Sequence, residues 1–205
     1  MRYEKIDLNT WSRGKSFNHF MSENRVVMSL TVDVDVAPLL AFVKKNKLKF
    51  YPTMMWIVTK VINAHEEFRL DWDSDGELIK WDYISPVYAD FNPENEKLVR
   101  TAIEYSEDLM VFHKRFLANR EEDSVPIQLK NTYGISCLPW VKYNHIDIQS
   151  FDKGMNVKPF VMWGKHEPCG EKNLMPLTMQ VHHAVADGFH LSRFFNEVQD
   201  CINSL

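Results

Sequence analysis

The end of the chain constrains the fold most. Met175 to His182 reads as a strand, and Gly188 to Leu205 reads as a helix on which Leu191, Phe194, Phe195, Val198 and Ile202 fall at i, i+3, i+4, i+7 and i+11. Residues at those intervals share one helical face, so the helix carries an apolar stripe that needs a cover. A strand joined through a short segment to such a helix predicts a helix docked on a sheet.

The preceding residues supply the sheet and further helices. Val26 to Val36 is rich in β-branched residues and alternates polar with apolar at its end, as a half-buried strand does. Ala37 to Asn46 predicts a helix, with Pro38 in its first turn, Leu39, Leu40 and Val43 on one face and Lys44-Lys45 near its end. A second helix is expected over Met54 to Phe68, with Glu66 and Glu67 on its solvated side. Asp73-Ser74-Asp75-Gly76 is a turn signal between Phe68–Trp72 and Glu77–Trp81, which together read as a β-hairpin. Further strands are expected over Pro86 to Phe91, Lys97 to Tyr105, Tyr133 to Trp140, Ile146 to Phe151 and Pro159 to Lys165. A charged helix is expected over Glu107 to Glu122, with Leu109, Val111, Phe112, Phe116 and Leu117 as its buried face, and a polar loop over Glu167 to Asn173. The succession predicts an α+β fold: one domain over residues 1–205, a two-layer sandwich of a mixed, largely antiparallel sheet with helices packed on it.

Composition narrows the partners. The 205 residues are 45% hydrophobic and 13% aromatic, enough for a well-buried core. With 24 basic against 28 acidic residues the net charge is −4, which favours neither nucleic acid nor an anionic membrane. Apolar stretches such as Met54–Val58 fall well short of the roughly 20 residues of a membrane span. Met1 to Asp7 carries alternating charge where a secretory signal carries an apolar core. Cys137, Cys169 and Cys201 are an odd number at spacings that fit neither a disulfide framework nor a zinc ribbon. Cytoplasmic residence is therefore expected. Cys137 lies in an apolar run without a cationic neighbour, so packing is expected of it and not reactivity.

The segment with chemistry is His182-His183-Ala184-Val185-Ala186-Asp187-Gly188. A group that takes a proton from a hydroxyl and returns it at neutral pH must titrate nearby, and histidine does. His183 falls where the strand should end, on a rigid support beside an exposed loop. Asp187 can orient that loop or pair with an arginine, and Gly188 allows a positive φ or a close backbone approach. Two other readings compete: plain packing histidines, and a metal site built from His182, His183, Asp187 and His190. Adjacent strand residues point to opposite faces, so His182 and His183 share one ion poorly and no metal is expected.

With three residues between the second histidine and Asp-Gly, this segment resembles the signature of the chloramphenicol acetyltransferase family. Dihydrolipoyl acyltransferases and nonribosomal condensation domains share the His-x-x-x-Asp-Gly core. Trp11-Ser12-Arg13, Phe50-Tyr51-Pro52, Glu77 to Asp82, Ile135 to Trp140 and Met175 to Val181 also resemble family segments, in family order and over nearly the whole chain. The resemblance implies a CoA-dependent acyltransferase fold and acetyl-CoA as co-substrate. It implies direct transfer of the acetyl group to a small hydroxyl acceptor, in homotrimers with sites between subunits. His183 would be the general base, Ser136 the donor to the developing oxyanion, and Asp187 the partner of Arg13 in an ion pair that fixes the loop.

Several positions depart from the family pattern. Phe20 stands where the drug-modifying enzymes carry a tyrosine, Leu98 matches a pocket phenylalanine, Met162 falls at or near a threonine, and Ala186 replaces a frequent cysteine. Phe20, Leu98 and Met162, the substrate-binding positions that the resemblance implies, make the acceptor, chloramphenicol or a related hydroxyl compound, the conditional part of the reading. Alternatives are a homologue that binds CoA or ligand with turnover impaired, an acetyltransferase for another small acceptor, and a metal-dependent hydrolase.

Overall fold

The computed structural model describes residues 2–119, 129–148 and 155–205. Its larger sheet has seven strands. β2 (Val27–Asp35), β10 (Lys172–His182), β8 (Phe160–Gly164), β7 (Thr132–Leu138), β5 (Ser85–Asn92) and β6 (Lys97–Ala102) lie in that order, and β9 (Glu167–Cys169) pairs with β10. The β5–β7 and β7–β8 ladders are parallel and the rest antiparallel. A smaller antiparallel sheet holds β1 (Tyr3–Lys5), β4 (Leu78–Trp81) and β3 (Leu70–Trp72).

One face of the large sheet is the core. On β10, Met175, Leu177, Met179 and Val181 alternate onto that face and are almost fully buried. Above them lie α2 (Ala37–Asn46), α3 (Phe50–Ala64), α4 (Leu109–Asn119) and α5 (Gly188–Asn203). The predicted stripe of α5, Leu191, Phe194, Phe195, Val198 and Ile202, is buried along its length. At about 1.5–3 kcal/mol for each fully buried side chain, this stripe is what holds the helix on the sheet.

The opposite face carries hydroxyls. Ser136, Met162, Thr178 and Thr31 are direct cross-strand neighbours on β7, β8, β10 and β2 and form one row. The Thr31 and Thr178 hydroxyls lie 2.8 Å apart, and Tyr143 Oη donates to the Met162 carbonyl at 3.1 Å. Gly164 makes room for Tyr143, whose ring carbons would lie 2.9 Å from any Cβ at that position.

The architecture is the expected α+β sandwich, and several elements differ in detail. The second helix starts at Phe50 and ends at Ala64, and Glu66–Phe68 is a separate 3-10 turn. It is covered nearly all round and so lacks the one-sided pattern that marks a boundary. Glu67 is buried against Arg193 instead of solvated. On α4, Phe112 and Phe116 face the core with His113, while Val111 and Leu117 are exposed; residues 120–122 lie outside those described. The expected loop from Glu167 is a hairpin, with Gly170 at φ 60° in its turn.

Ile146 to Ile148 is not a strand, and residues 149–151 lie outside those described. Side chains hold this segment to the sheet: Gln180 donates to Ile148 O and accepts from Ile148 N–H, and Ser29 donates to Ile146 O. β1, α1 (Gly14–Asn18) and the π-turn His19–Glu23 carried no signal that the sequence reading used.

Gly14 sits under the chain. A Cβ there would lie 1.9 Å from Leu8 O, a backbone atom that cannot step aside. Gly14→Ala should therefore destabilise the protein by at least about 2 kcal/mol, read as a lower midpoint in thermal unfolding.

Candidate active site

β10 delivers the two histidines at its end. His182 closes the ladder against Val27, His183 N–H donates to Val26 O at 2.8 Å, and the chain then turns over His182 O through Val185 and Ala186 N–H. Ala184, Val185 and Ala186 are buried, so the turn is anchored by its methyl groups in the core. His182 is buried, and its Nδ1 accepts from Ala184 N–H at 3.1 Å.

His183 is half-buried, with Nδ1 3.0 Å from the Ala186 carbonyl. A carbonyl only accepts, so in the neutral imidazole Nδ1 carries the proton and Nε2 the lone pair. That tautomer presents a base. The Phe20 ring, in the π-turn after α1, lies tilted against the imidazole with centroids 4.1 Å apart.

Arg13 clamps the loop from the far end of the sequence. Its Nε donates to Ala184 O at 2.9 Å, Nη2 to His183 O at 3.0 Å and Nη1 to Asp187 Oδ2 at 3.0 Å. The arginine precedes Gly14, on a segment where Trp11 meets Phe17 edge-on and Phe17 is buried against Trp72. Asp187 caps α5: Oδ1 accepts from Phe189 N–H at 3.0 Å, and His190 Nδ1 lies 2.8 Å from Oδ1 and 3.2 Å from the Asp187 N–H, which closes a capping box. Partial burial alone would raise the Asp187 carboxyl, but the Arg13 and His190 hydrogen bonds dominate and bring it down to about 2. It is ionised throughout the neutral range.

The remaining predicted residues are distributed. Ser136 is on β7 in the hydroxyl row, beside Met162, which is buried between Ser136 and Thr178. Across two strands and four residues along β10, Ser136 is about 10 Å sideways and about 13 Å lengthwise from His182. Within one chain, Ser136 and His183 are not brought together. Leu98 is exposed on the outermost strand β6, far across the sheet from His183. Gly188 has no positive φ and nothing within 4 Å of a Cβ, so the expected backbone demand at that position is absent. Among the described residues no group of three or more His, Cys, Asp or Glu side chains could hold a metal ion.

Two features went unread in the sequence. His190 is a cap partner of Asp187, and its i+3 spacing from Asp187 at a helix start is the sequence signal for that role. The second is a cleft of about 660 Å³ on the helix side of β7 and β8, lined in part by Phe50, Tyr51, Trp140, Trp163, Lys165 and His166. Cys137 also lines it, and burial pushes this thiol up to about 12, which makes it inert at neutral pH.

The chain as a whole is similar to known proteins. The family profile described as chloramphenicol acetyltransferase matches residues 1–199. A chloramphenicol acetyltransferase of Clostridium perfringens is 34% identical over 98% of this chain and 94% of its own length. One of Escherichia coli is 36% identical over 96% of this chain and 92% of its own. A solved structure of a chloramphenicol acetyltransferase superposes with a TM-score of 0.90 at 24% identity, covering 98% of this chain and all of the other (100%). The chain therefore belongs to the chloramphenicol acetyltransferase family.

Proposed function

We propose that this protein transfers the acetyl group of acetyl-CoA directly to a hydroxyl of chloramphenicol or a closely related small molecule, with His183 as general base. The observation that carries the reading is the His183 Nδ1 contact to the Ala186 carbonyl, which leaves Nε2 free to accept a proton. The acceptor oxygen attacks the thioester carbonyl as its proton passes to Nε2. The carbon–sulfur bond then breaks, and the imidazolium returns the proton to the departing thiolate. The products are an acetate ester and free CoA, and no acyl-enzyme forms.

The aromatic cleft suits the co-substrate, and no metal is called for. Tyr51 Oη is buried, has no hydrogen-bond partner among the described residues, and belongs to a residue that lines the cleft, with Lys165 there for an anionic group. Ser136 is the donor to the oxyanion. Its remoteness from His183 in its own chain supports a site completed between copies, in the homotrimer that the family resemblance implies. Cytoplasmic residence is consistent with three free cysteines and with the described residues holding no helix long and apolar enough to cross a membrane.

A different hydroxyl acceptor is the second reading, and the Phe20–His183 contact favours it. The aromatic ring beside the base has no hydroxyl of its own, so an acceptor there gains apolar contact and no hydrogen bond. Losing a hydrogen bond that a buried acceptor group needs reduces a site's discrimination far more than losing one apolar contact does.

Incubation with acetyl-CoA and chloramphenicol should release free thiol, and His183→Ala should abolish the release. Thiol release by the variant at the wild-type rate would remove His183 from the role of base. CoA binding without release across a panel of alcohols would mark a binding homologue instead.

Ser136→Ala should lower kcat roughly a hundredfold. Oligomers that mix Ser136→Ala with His183→Ala chains should exceed both parents, because a site between copies can regain one intact serine and one intact histidine. Mixed oligomers no better than their parents would place the site within single chains.

The Arg13–Asp187 pair sets an acid limit. A carboxylate lowered to about 2 contributes stability that is full above the ordinary value of 3.8 and is lost as pH falls toward 2. Acid unfolding followed by circular dichroism should lose part of its steepness below pH 3.8 in Asp187→Asn.

A further inference from the structure

We propose that His190 is a positioning residue for acetyl transfer: through Asp187 it fixes the main chain that orients the His183 imidazole. The proposal rests on His183 being the base.

The contacts form a closed circuit. His183 Nδ1 is held by Ala186 O, the carbonyl next to Asp187. The main-chain oxygens of His183 and Ala184 are held by Arg13, and Arg13 is held by Asp187 Oδ2. The rotation of the Asp187 carboxylate thus sets both ends of the loop. Two contacts on Oδ1 determine that rotation, the Phe189 N–H donor at 3.0 Å and His190 Nδ1 at 2.8 Å. The same Nδ1 lies 3.2 Å from Asp187 N–H, so His190 holds Asp187 either by accepting from its backbone or, when Nδ1 carries the proton, by donating to Oδ1. Without the imidazole Asp187 keeps only backbone amides of the first helical turn on its side chain and loses the partner of its own N–H, so the residue can shift and loosen its bond to Arg13.

His190 does not act on the reacting atoms. It lines a cavity of about 330 Å³ behind the loop, together with Arg13, Val185, Glu66 and Glu67, and His183 is not part of that lining. Among the described residues its contacts reach the chemistry through Asp187, by the carboxylate and by the backbone N–H. Backbone support also keeps the cost moderate: the turn retains its buried Ala184, Val185 and Ala186 when the histidine is removed. Small displacements of a general base are nevertheless felt strongly in rate.

The test compares His190→Ala with His190→Asn, whose amide nitrogen sits close to the lost Nδ1 and can donate in its place. His190→Ala should lower kcat about tenfold while KM for both substrates stays within about twofold. His190→Asn should recover most of that loss. Nitrogen-15 NMR of the His183 ring reads the same property without turnover: the Nδ1–H tautomer should dominate in wild type and His190→Asn and become mixed in His190→Ala. Should His190→Ala not fold, His190→Leu fills the space and still lacks the donor.

Equal kcat in the alanine and asparagine variants, or a change confined to KM or to melting temperature, would overturn the proposal. So would an unchanged His183 tautomer in the donor-free variant. Absence of thiol release by the wild type would instead overturn the reading of His183 as base, and the NMR comparison would still decide the role of His190.

Discussion

Arg13 is the residue on which the geometry of the loop depends. Its guanidinium satisfies two main-chain carbonyls and one carboxylate on a segment 170 to 174 positions away in sequence. A planar fork with fixed donor directions can hold three acceptors in one arrangement, which a lysine ammonium cannot do. The carbonyls of His183 and Ala184 belong to a turn that leaves the sheet, where no ladder partner is available to them. Arginine supplies the missing donors, and the loop acquires the rigidity of the strand before it.

The same contact explains why the N-terminal segment is built as it is. Gly14 passes under Leu8, Trp11 leans on Phe17, and Phe17 is buried against Trp72 at the edge of the small sheet. This packing is local, but its product is the position of one side chain. Phe20, one turn further on, reaches the imidazole from the same segment. Support of the base and the apolar wall beside it therefore come from one short stretch of chain.

Legibility in the sequence followed the range of the interaction. α5 was readable because its stripe repeats at helical spacing over the whole element, and the Asp73 to Gly76 turn was readable because Gly76 takes φ 79°. α3 was blurred at its start, since a helix buried all round has no polar face to mark where it begins. Ile146 to Ile148 has strand-like residues but takes its hydrogen bonds from Gln180 and Ser29 side chains, a choice made by tertiary neighbours. In the site, His183 and Asp187 could be placed by spacing, whereas the pairing of Asp187 with Arg13 has no local signal and was implied only by family resemblance. The remoteness of Ser136 from His183 is a property of strand order, which periodicity does not encode.

That remoteness decides how the departures from the family pattern act. A hydrogen-bonded sheet cannot shorten a separation of two strands and four residues, so no rearrangement short of unfolding would let Ser136 and His183 of one chain serve one carbonyl. If both act in one transfer, they come from different copies, and each brings its own neighbour with it. Phe20 accompanies His183, and Met162 accompanies Ser136. Two of the positions that depart from the family, Phe20 and Met162, would then face the acceptor from opposite sides, one against the base and one against the oxyanion donor. Both replacements remove a hydroxyl and add apolar surface, so their effects on the acceptor reinforce each other. An acceptor with fewer polar groups around its reactive hydroxyl is the molecule that such a pair of walls would favour.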